Sequence, residues 1–435
     1  MILGGTCFSQ NKYVVQNKKG IDKIDFQLIH NIIIIPVEVN GVSLSFLLDT
    51  GVSRPIVFNF IKDSDSLEIY NAKKIYLKGL GNDGFVEALR SSNNQFKIGD
   101  AVNKNQDFYV IFDSSINFAP KLGVPIHGII GYDFFKDLVV DINYKRQYIT
   151  VRNPEVYKHK LCRKCEIFDL EFINNKPYFK IETKIDNEYV PVKLLIDSGS
   201  SDSLWLFEND TLGLNIGDKY FEDFLGFGLS GSVHGKRSKI DGVKLKSFQL
   251  ERPKVAFPDS SIVESFKKIK GRNGSVGGEI LKRFNITLDY KNSRMILKKN
   301  SNFNQPFSYN KSGIELEHDG VRLVTESYSD LMTGVGSNRI NSNAIVVKAV
   351  YVAKEKLVIK PAYSISQIRA NSPAEKVGLK VGDIVIAIND KDTKHYSLQE
   401  LIEHFFDDDG KQIKLKVERN RKAIEVVFTL ESLLK

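Results

Sequence analysis

Cysteine, tryptophan and methionine are scarce in this 435-residue chain, at three, one and three residues. Three cysteines cannot build a disulfide framework, and the length removes the need for one. About three typical domain lengths imply two to four domains, each able to bury its own core. Long apolar runs are missing too: the densest, Ile32 to Ile35, stops at Pro36, far short of the roughly 20 residues of a membrane-spanning helix. Nor is charge concentrated. Lys and Arg outnumber Asp and Glu by 62 to 53, a net +9. The excess is scattered apart from small groups at Lys267-Lys268-Lys270 and Arg419-Arg421-Lys422, with no aromatic-interleaved basic stripe, so a solvated surface is expected rather than a nucleic-acid site. His-Glu-x-x-His and Gly-x-Ser-x-Gly are both absent, and the dispersed His127, His234 and His395 read as surface or packing residues. Cys162-Arg-Lys-Cys165 with His159 supplies three possible zinc ligands where a structural site takes four. The expectation is therefore no metal and no cofactor, the two cysteines being buried or joined to each other.

What the sequence does have is an internal duplication. Leu47-Leu48-Asp49-Thr50-Gly51 returns as Leu195-Ile196-Asp197-Ser198-Gly199, 148 residues on. Gly79, Gly81 and Gly84 return as Gly226, Gly228 and Gly231, at an offset of 147. Gly128-Ile-Ile-Gly131, with Phe135 and Tyr144-Lys145 after it, returns as Gly274-Ser-Val-Gly277 with Leu281 and Tyr290-Lys291, at an offset of 146. A period this long exceeds that of any solenoid unit and reads as a duplicated domain. The flanking segments alternate like strands, as in Tyr178 to Ile185, and are punctuated by Asn-Gly and Gly-Asp turns. Two mainly β lobes are expected, at about 25–155 and 166–300, behind an N-terminal tail over 1–24.

One Asp per lobe, each at the end of an apolar strand, lets two carboxyl groups meet across a pseudo-twofold axis. Such a pair cannot ionise twice cheaply, so it shares a proton and supplies one base and one acid. A water held between them can then attack a peptide carbonyl without a metal or a covalent adduct. The hydroxyls of Thr50 and Ser198 can lock the two loops together, and Gly51 and Gly199 permit close approach. With these motifs, residues 25 to 300 resemble an aspartic protease of the pepsin and retropepsin kind in single-chain, two-lobed form. The resemblance includes the strands Ile129-Ile130-Gly131 and Ser275-Val276-Gly277. It implies catalysis by Asp49 and Asp197 and a polypeptide substrate. It also implies flap-type hairpin tips at Gly79 to Gly84 and Gly226 to Gly231, which otherwise read as simple turns. Both glycine sets spell Gly-x-Gly-x-x-Gly, yet neither sits in a strand-to-helix turn of a βαβ unit, so a dinucleotide site is not expected. The loop after Asp49 departs from the family at Arg54-Pro55, and for a flap tyrosine Tyr76 is the nearest candidate, although it reads as a core aromatic.

From about 311 to 432 the pattern changes to a small mixed domain. Ser372-Pro373-Ala374-Glu375 and Ser397-Leu398-Gln399-Glu400 are capping boxes. The first opens a short helix ended by Gly378, and the second a longer one stopped near Gly410. A hairpin turning at Asn420 follows. Through Ser372 to Leu379, Gly382-Asp383 and Ile388-Asn389 the block resembles a PDZ domain, which binds extended peptides between a strand and a helix. The resemblance implies a groove between Tyr363 to Ile368 and the helix from Ser397, lined by Tyr363, Ile365, Leu398 and Ile402. Packing of this domain against the protease lobes is the other reading.

The combination resembles bacterial proteins, and the N-terminal apolar run ending at Cys7-Phe8-Ser9 reads as the remnant of an export signal. A periplasmic or cell-envelope monomer is expected. The sequence as a whole implies an aspartic endopeptidase, with a catalytically inactive bilobal peptide-binding scaffold as the rival.

Overall fold

A computed structural model describes residues 11–58, 67–77, 85–113, 116–159, 162–228, 231–260, 263, 271–335 and 347–434. The chain divides into two compact units, Met1–Tyr309 with Ser432–Lys435, and Asn310–Glu431. Strands dominate both, and the described helices are short.

The first unit holds two lobes built to one plan. In the first, the Asn40-Gly41 turn, with both residues at positive φ, joins Ile32–Val39 to Val42–Leu48 as an antiparallel hairpin. Gly128–Ile130 then runs parallel to Val42–Leu48 and antiparallel to Ile56–Phe58. In the second lobe Lys176–Ile185 pairs with Glu188–Ile196. Gly274–Val276 runs parallel to the latter and antiparallel to Leu204–Leu206. Each short Gly-started strand is buried on both faces, which explains its unbroken small and apolar sequence. Loop anchors repeat as well: His127 Nδ1 accepts the Ser45 N–H at 3.0 Å, and Asn273 Oδ1 accepts the Lys193 N–H at 2.9 Å.

A six-stranded sheet joins the lobes. Val139–Asn143 pairs antiparallel with Phe284–Asp289, with Asp141 opposite Thr287, so the pseudo-twofold axis passes between these two residues. At one edge of this sheet Ile21–Asp25 pairs with Tyr148–Arg152, while Val14–Val15 pairs with Ala101–Val102 in the first lobe. The tail expected over 1–24 is therefore corrected for residues 11–24. Tyr13 is wholly buried and Ile24 nearly so, and burial of this kind is what turns a terminus into structure. One apolar core runs through both lobes, from Phe46 and Phe134 to Leu194 and Leu288. Cys162 and Cys165 are joined as a disulfide in the segment between the lobes, which leaves neither thiolate to bind metal.

The second unit packs the sheet Ile314–Val335, Val347–Ile368, Ile384–Ile388, Gln412–Arg419 and Lys422–Thr429 against the helix Leu398–Glu403. Both caps form: the Ser372 hydroxyl accepts the Glu375 N–H, and Ser397 and Glu400 complete a reciprocal box. The second helix is shorter than expected. It tightens into a 3-10 turn at His404–Phe406, and Lys311 takes the carbonyls of Phe405 and Phe406, so the last turn is capped from outside instead of propagating. The sequence reading also missed that the first two strands form a hairpin of 22 residues on each side.

Candidate active site

Asp49 and Asp197 stand at matching corners of the two lobes. Each follows a buried strand, and its N–H donates to the neighbouring parallel strand: Asp49 to Ile130 O at 2.8 Å, Asp197 to Val276 O at 2.9 Å. Beneath them a reciprocal lock crosses between the lobes. Thr50 Oγ1 donates to Ile196 O at 2.6 Å and accepts the Ser198 N–H at 3.0 Å. Ser198 Oγ donates to Leu48 O at 2.8 Å and accepts the Thr50 N–H at 3.0 Å. All four bonds are buried, so each hydroxyl satisfies one donor and one acceptor that water cannot reach. Replacing Thr50 by Val keeps the shape and strands the Ile196 carbonyl and the Ser198 N–H. The expected loss is about 1–3 kcal/mol for each group left unpaired, read by urea unfolding, with Thr50→Ser as the variant that keeps both bonds. A Thr50→Val protein as stable as the Ser variant would show that the lock contributes nothing.

The lock brings the two acids together. Both residues are half-buried, with their carboxyl groups within hydrogen-bonding reach of each other. Burial, then the charge of Asp197, pushes Asp49 up to about 7, against the pull of the Gly51 N–H and Lys176. Asp49 Oδ1 accepts that N–H at 2.6 Å. Burial also raises Asp197, opposed first by Arg272 and then by Lys176 and the Gly199 N–H. The glycines are required by space: a Cβ at Gly199 would lie 2.4 Å from the Asp49 carboxylate, and one at Gly131 2.2 Å from the carbonyl oxygens of Asp49 and Val52. Arg54, the departure noted in the sequence, is an ion-pair partner of Asp107 at 3.0 Å, a carboxylate also held by Arg90 at 2.6 Å. It braces the loop after Asp49 from outside the pair.

Gly79, Gly81 and Gly84 lie outside the described residues. The strands on either side of them, Lys73–Leu77 and Val86–Ile98, pair antiparallel. Tyr76 is 63% exposed, which corrects its reading as a core aromatic: it alternates outward on a two-sided strand. In the second lobe Phe221–Gly228 and Gly231–Lys239 form a hairpin whose last pair is Gly228 and Gly231, with a bulge before Gly226. Beside its end Phe227 meets the Lys121 ammonium of the first lobe, 5.4 Å from the ring centre.

The expected peptide groove is corrected by the structure. Tyr363 to Ile368 is an interior strand. One edge pairs with Ile314–His318, and on the other the Ile365 N–H donates to Asp383 O while Ile365 O accepts the Gly382 N–H. Tyr363, Ile365 and Leu398 are buried in the core, and Ile402 packs on it half-buried. The outer strand, and the one beside the helix Leu398–Glu403, is that of Ile314.

Sequence reading also missed four side chains around the two acids: Lys176, Tyr178, Arg272 and Tyr290. The signal for them is the duplication itself, read at the hairpins and not only at the motifs.

The two lobes thus each set one acid on a shared lock. Residues 35–134 match the family model described as aspartyl protease, and residues 364–419 match the PDZ domain model. The chain thus joins a protease-family domain to a PDZ domain. The first match takes in Asp49, and Asp197 enters by the duplication.

Proposed function

We propose that this protein is an aspartic endopeptidase in which Asp49 and Asp197 activate water. The observation that carries this reading is the meeting of two half-buried acids, one from each lobe, over the Thr50–Ser198 lock. With one proton between them, the ionised acid takes a proton from water as its oxygen attacks the peptide carbonyl carbon. The protonated acid gives its proton to the carbonyl oxygen, leaving a neutral tetrahedral diol. Return of a proton from the first acid to nitrogen breaks the C–N bond, while the second recovers its proton from a diol hydroxyl. The hairpin ending at Gly228 and Gly231 acts as a flap that excludes water from the reacting bond.

The PDZ domain binds polypeptide by strand addition along Ile314–His318, which presents or gates substrate. Location outside the cytoplasm, in the periplasm or cell envelope, is supported by the Cys162–Cys165 disulfide and the apolar N-terminal run. The full chain should cleave a mixed peptide library between acid and neutral pH. A peptide with a hydroxyl-bearing tetrahedral carbon in place of the scissile carbonyl should block it. Absence of cleavage at every pH, or cleavage that ignores such a mimic, would favour a peptide-binding shell instead.

A further inference from the structure

A symmetric pair of acids has no reason to leave its proton on either member, so any preference must come from what breaks the symmetry. The backbone register shows where it breaks. In the first lobe Ile29 pairs with Ile32; in the second Ile173 pairs with Lys176, so Lys176 occupies the position of Ile32. Counting back two residues from Gly128 and from Gly274, the starts of the two short strands, puts Arg272 at the position of Ile126. Tyr178 likewise replaces Ile34, and Phe207 answers to Phe58.

In the first lobe Ile32, Ile34, Phe58 and Ile126 belong to one apolar cluster. In the second its counterpart carries two cations, with the Arg272 guanidinium 5.3 Å from the centre of the Phe207 ring and 6.0 Å from that of Tyr178. The turn before Lys176 is docked on the opposite lobe's catalytic loop, where Ser53 Oγ donates to Asn174 O at 2.8 Å. The mirror contact exists too, Asn31 Nδ2 to Ser201 O at 2.8 Å, but it leads into Ile32.

We propose that Lys176 and Arg272 are positioning residues that polarise the acid pair, making Asp197 the resident carboxylate and base and Asp49 the proton carrier. The inference rests on the protease reading and assigns roles within it. Among the described residues, the titratable and charged side chains facing the pair are Lys176 and Tyr178 from the strand Lys176–Ile185, Arg272 from the segment before Gly274, and Tyr290 after the strand Phe284–Asp289. Burial keeps both phenols neutral, so the two cations supply the asymmetry. Lys176 acts on both acids and Arg272 on Asp197 alone.

The test copies the first lobe into the second. Removing a cation disfavours a nearby carboxylate and raises its pKa. Arg272→Ile should therefore move the acid limb of the kcat/KM profile upward by about one unit and leave the alkaline limb in place. Lys176→Ile should move both limbs upward, and Lys176→Arg should restore them. Carboxyl NMR titration of aspartate-labelled protein, assigned with Asp49→Asn and Asp197→Asn, reads the same shifts without turnover. It therefore tests the polarisation even if no peptide is cleaved, and absent cleavage would count against the protease reading alone. If Arg272→Ile fails to fold, Lys176→Ile decides. Limbs and carboxyl titrations unmoved in a folded isoleucine variant, or Asp49 ionising before Asp197 in the unaltered protein, overturn the proposal.

Discussion

Asp197→Asn should lower kcat on peptide substrates by roughly 10²–10⁴-fold, the contribution of a positioned general base, while KM changes little. The substitution is close to isosteric, and the cross-lobe bonds are made by Thr50 and Ser198 rather than by the acids, so the cleft should keep its shape. The amide, however, cannot accept the water's proton. A fall in kcat at nearly constant KM is the mark of a group that acts only in the transition state. Asp49→Asn should lose a similar factor for the opposite reason, since the amide cannot give the carbonyl oxygen a proton and recover it. Combining the two should cost little more than either alone, because the acids work as a unit. Wild-type turnover in either single variant would remove the pair from the chemistry, leaving the lobes as a peptide-binding shell.

The pair was legible because its chemistry restricts residue type. Only glycine fits where Gly199 meets the Asp49 carboxylate and Gly131 meets the loop carbonyls, so these positions read the same in both halves. Lys176 and Arg272 were hidden by the reverse circumstance: their counterparts are isoleucines, and a duplication sought by likeness passes over the positions where the halves differ. The offset also drifts, from 144 at the hairpin (Ile32 to Lys176) to 148 at the acids (Asp49 to Asp197), because each strand of the hairpin runs two residues longer in the second lobe while the turn keeps two residues in both. The strand joining the lobes was half visible, through Tyr144-Lys145 and Tyr290-Lys291, but pairing of Asp141 with Thr287 is a long-range fact that no local pattern encodes. In the PDZ domain the family match begins at residue 364, whereas the outer strand starts at Ile314, with a long hairpin between. The nearest strand to the motif was taken for the edge, and the true edge lay some fifty residues upstream.

Asp49→Asn should also change stability, in a direction opposite to that of most paired carboxylates. The Asp49 carboxyl is pushed from 3.8 up to about 7 on folding, so between those values the folded state holds a proton that the unfolded state has released. Stability from this group is then full below about pH 4 and is lost as pH rises through about 7. At about 1.4 kcal/mol per unit, the change is on the order of a few kcal/mol. Asparagine binds no proton in either state. Its Nδ2 can donate to Asp197 and its Oδ1 can keep the Gly51 N–H, so the variant should lose most of this dependence and become the more stable protein at neutral pH. Urea unfolding at an acid and a neutral pH reads the effect as a difference of differences, in which groups distant from the pair cancel. Should the two proteins respond alike to pH, Asp49 would not hold its proton in the folded state, and a pair sharing one proton at moderately acid pH could not be the resting form of the site.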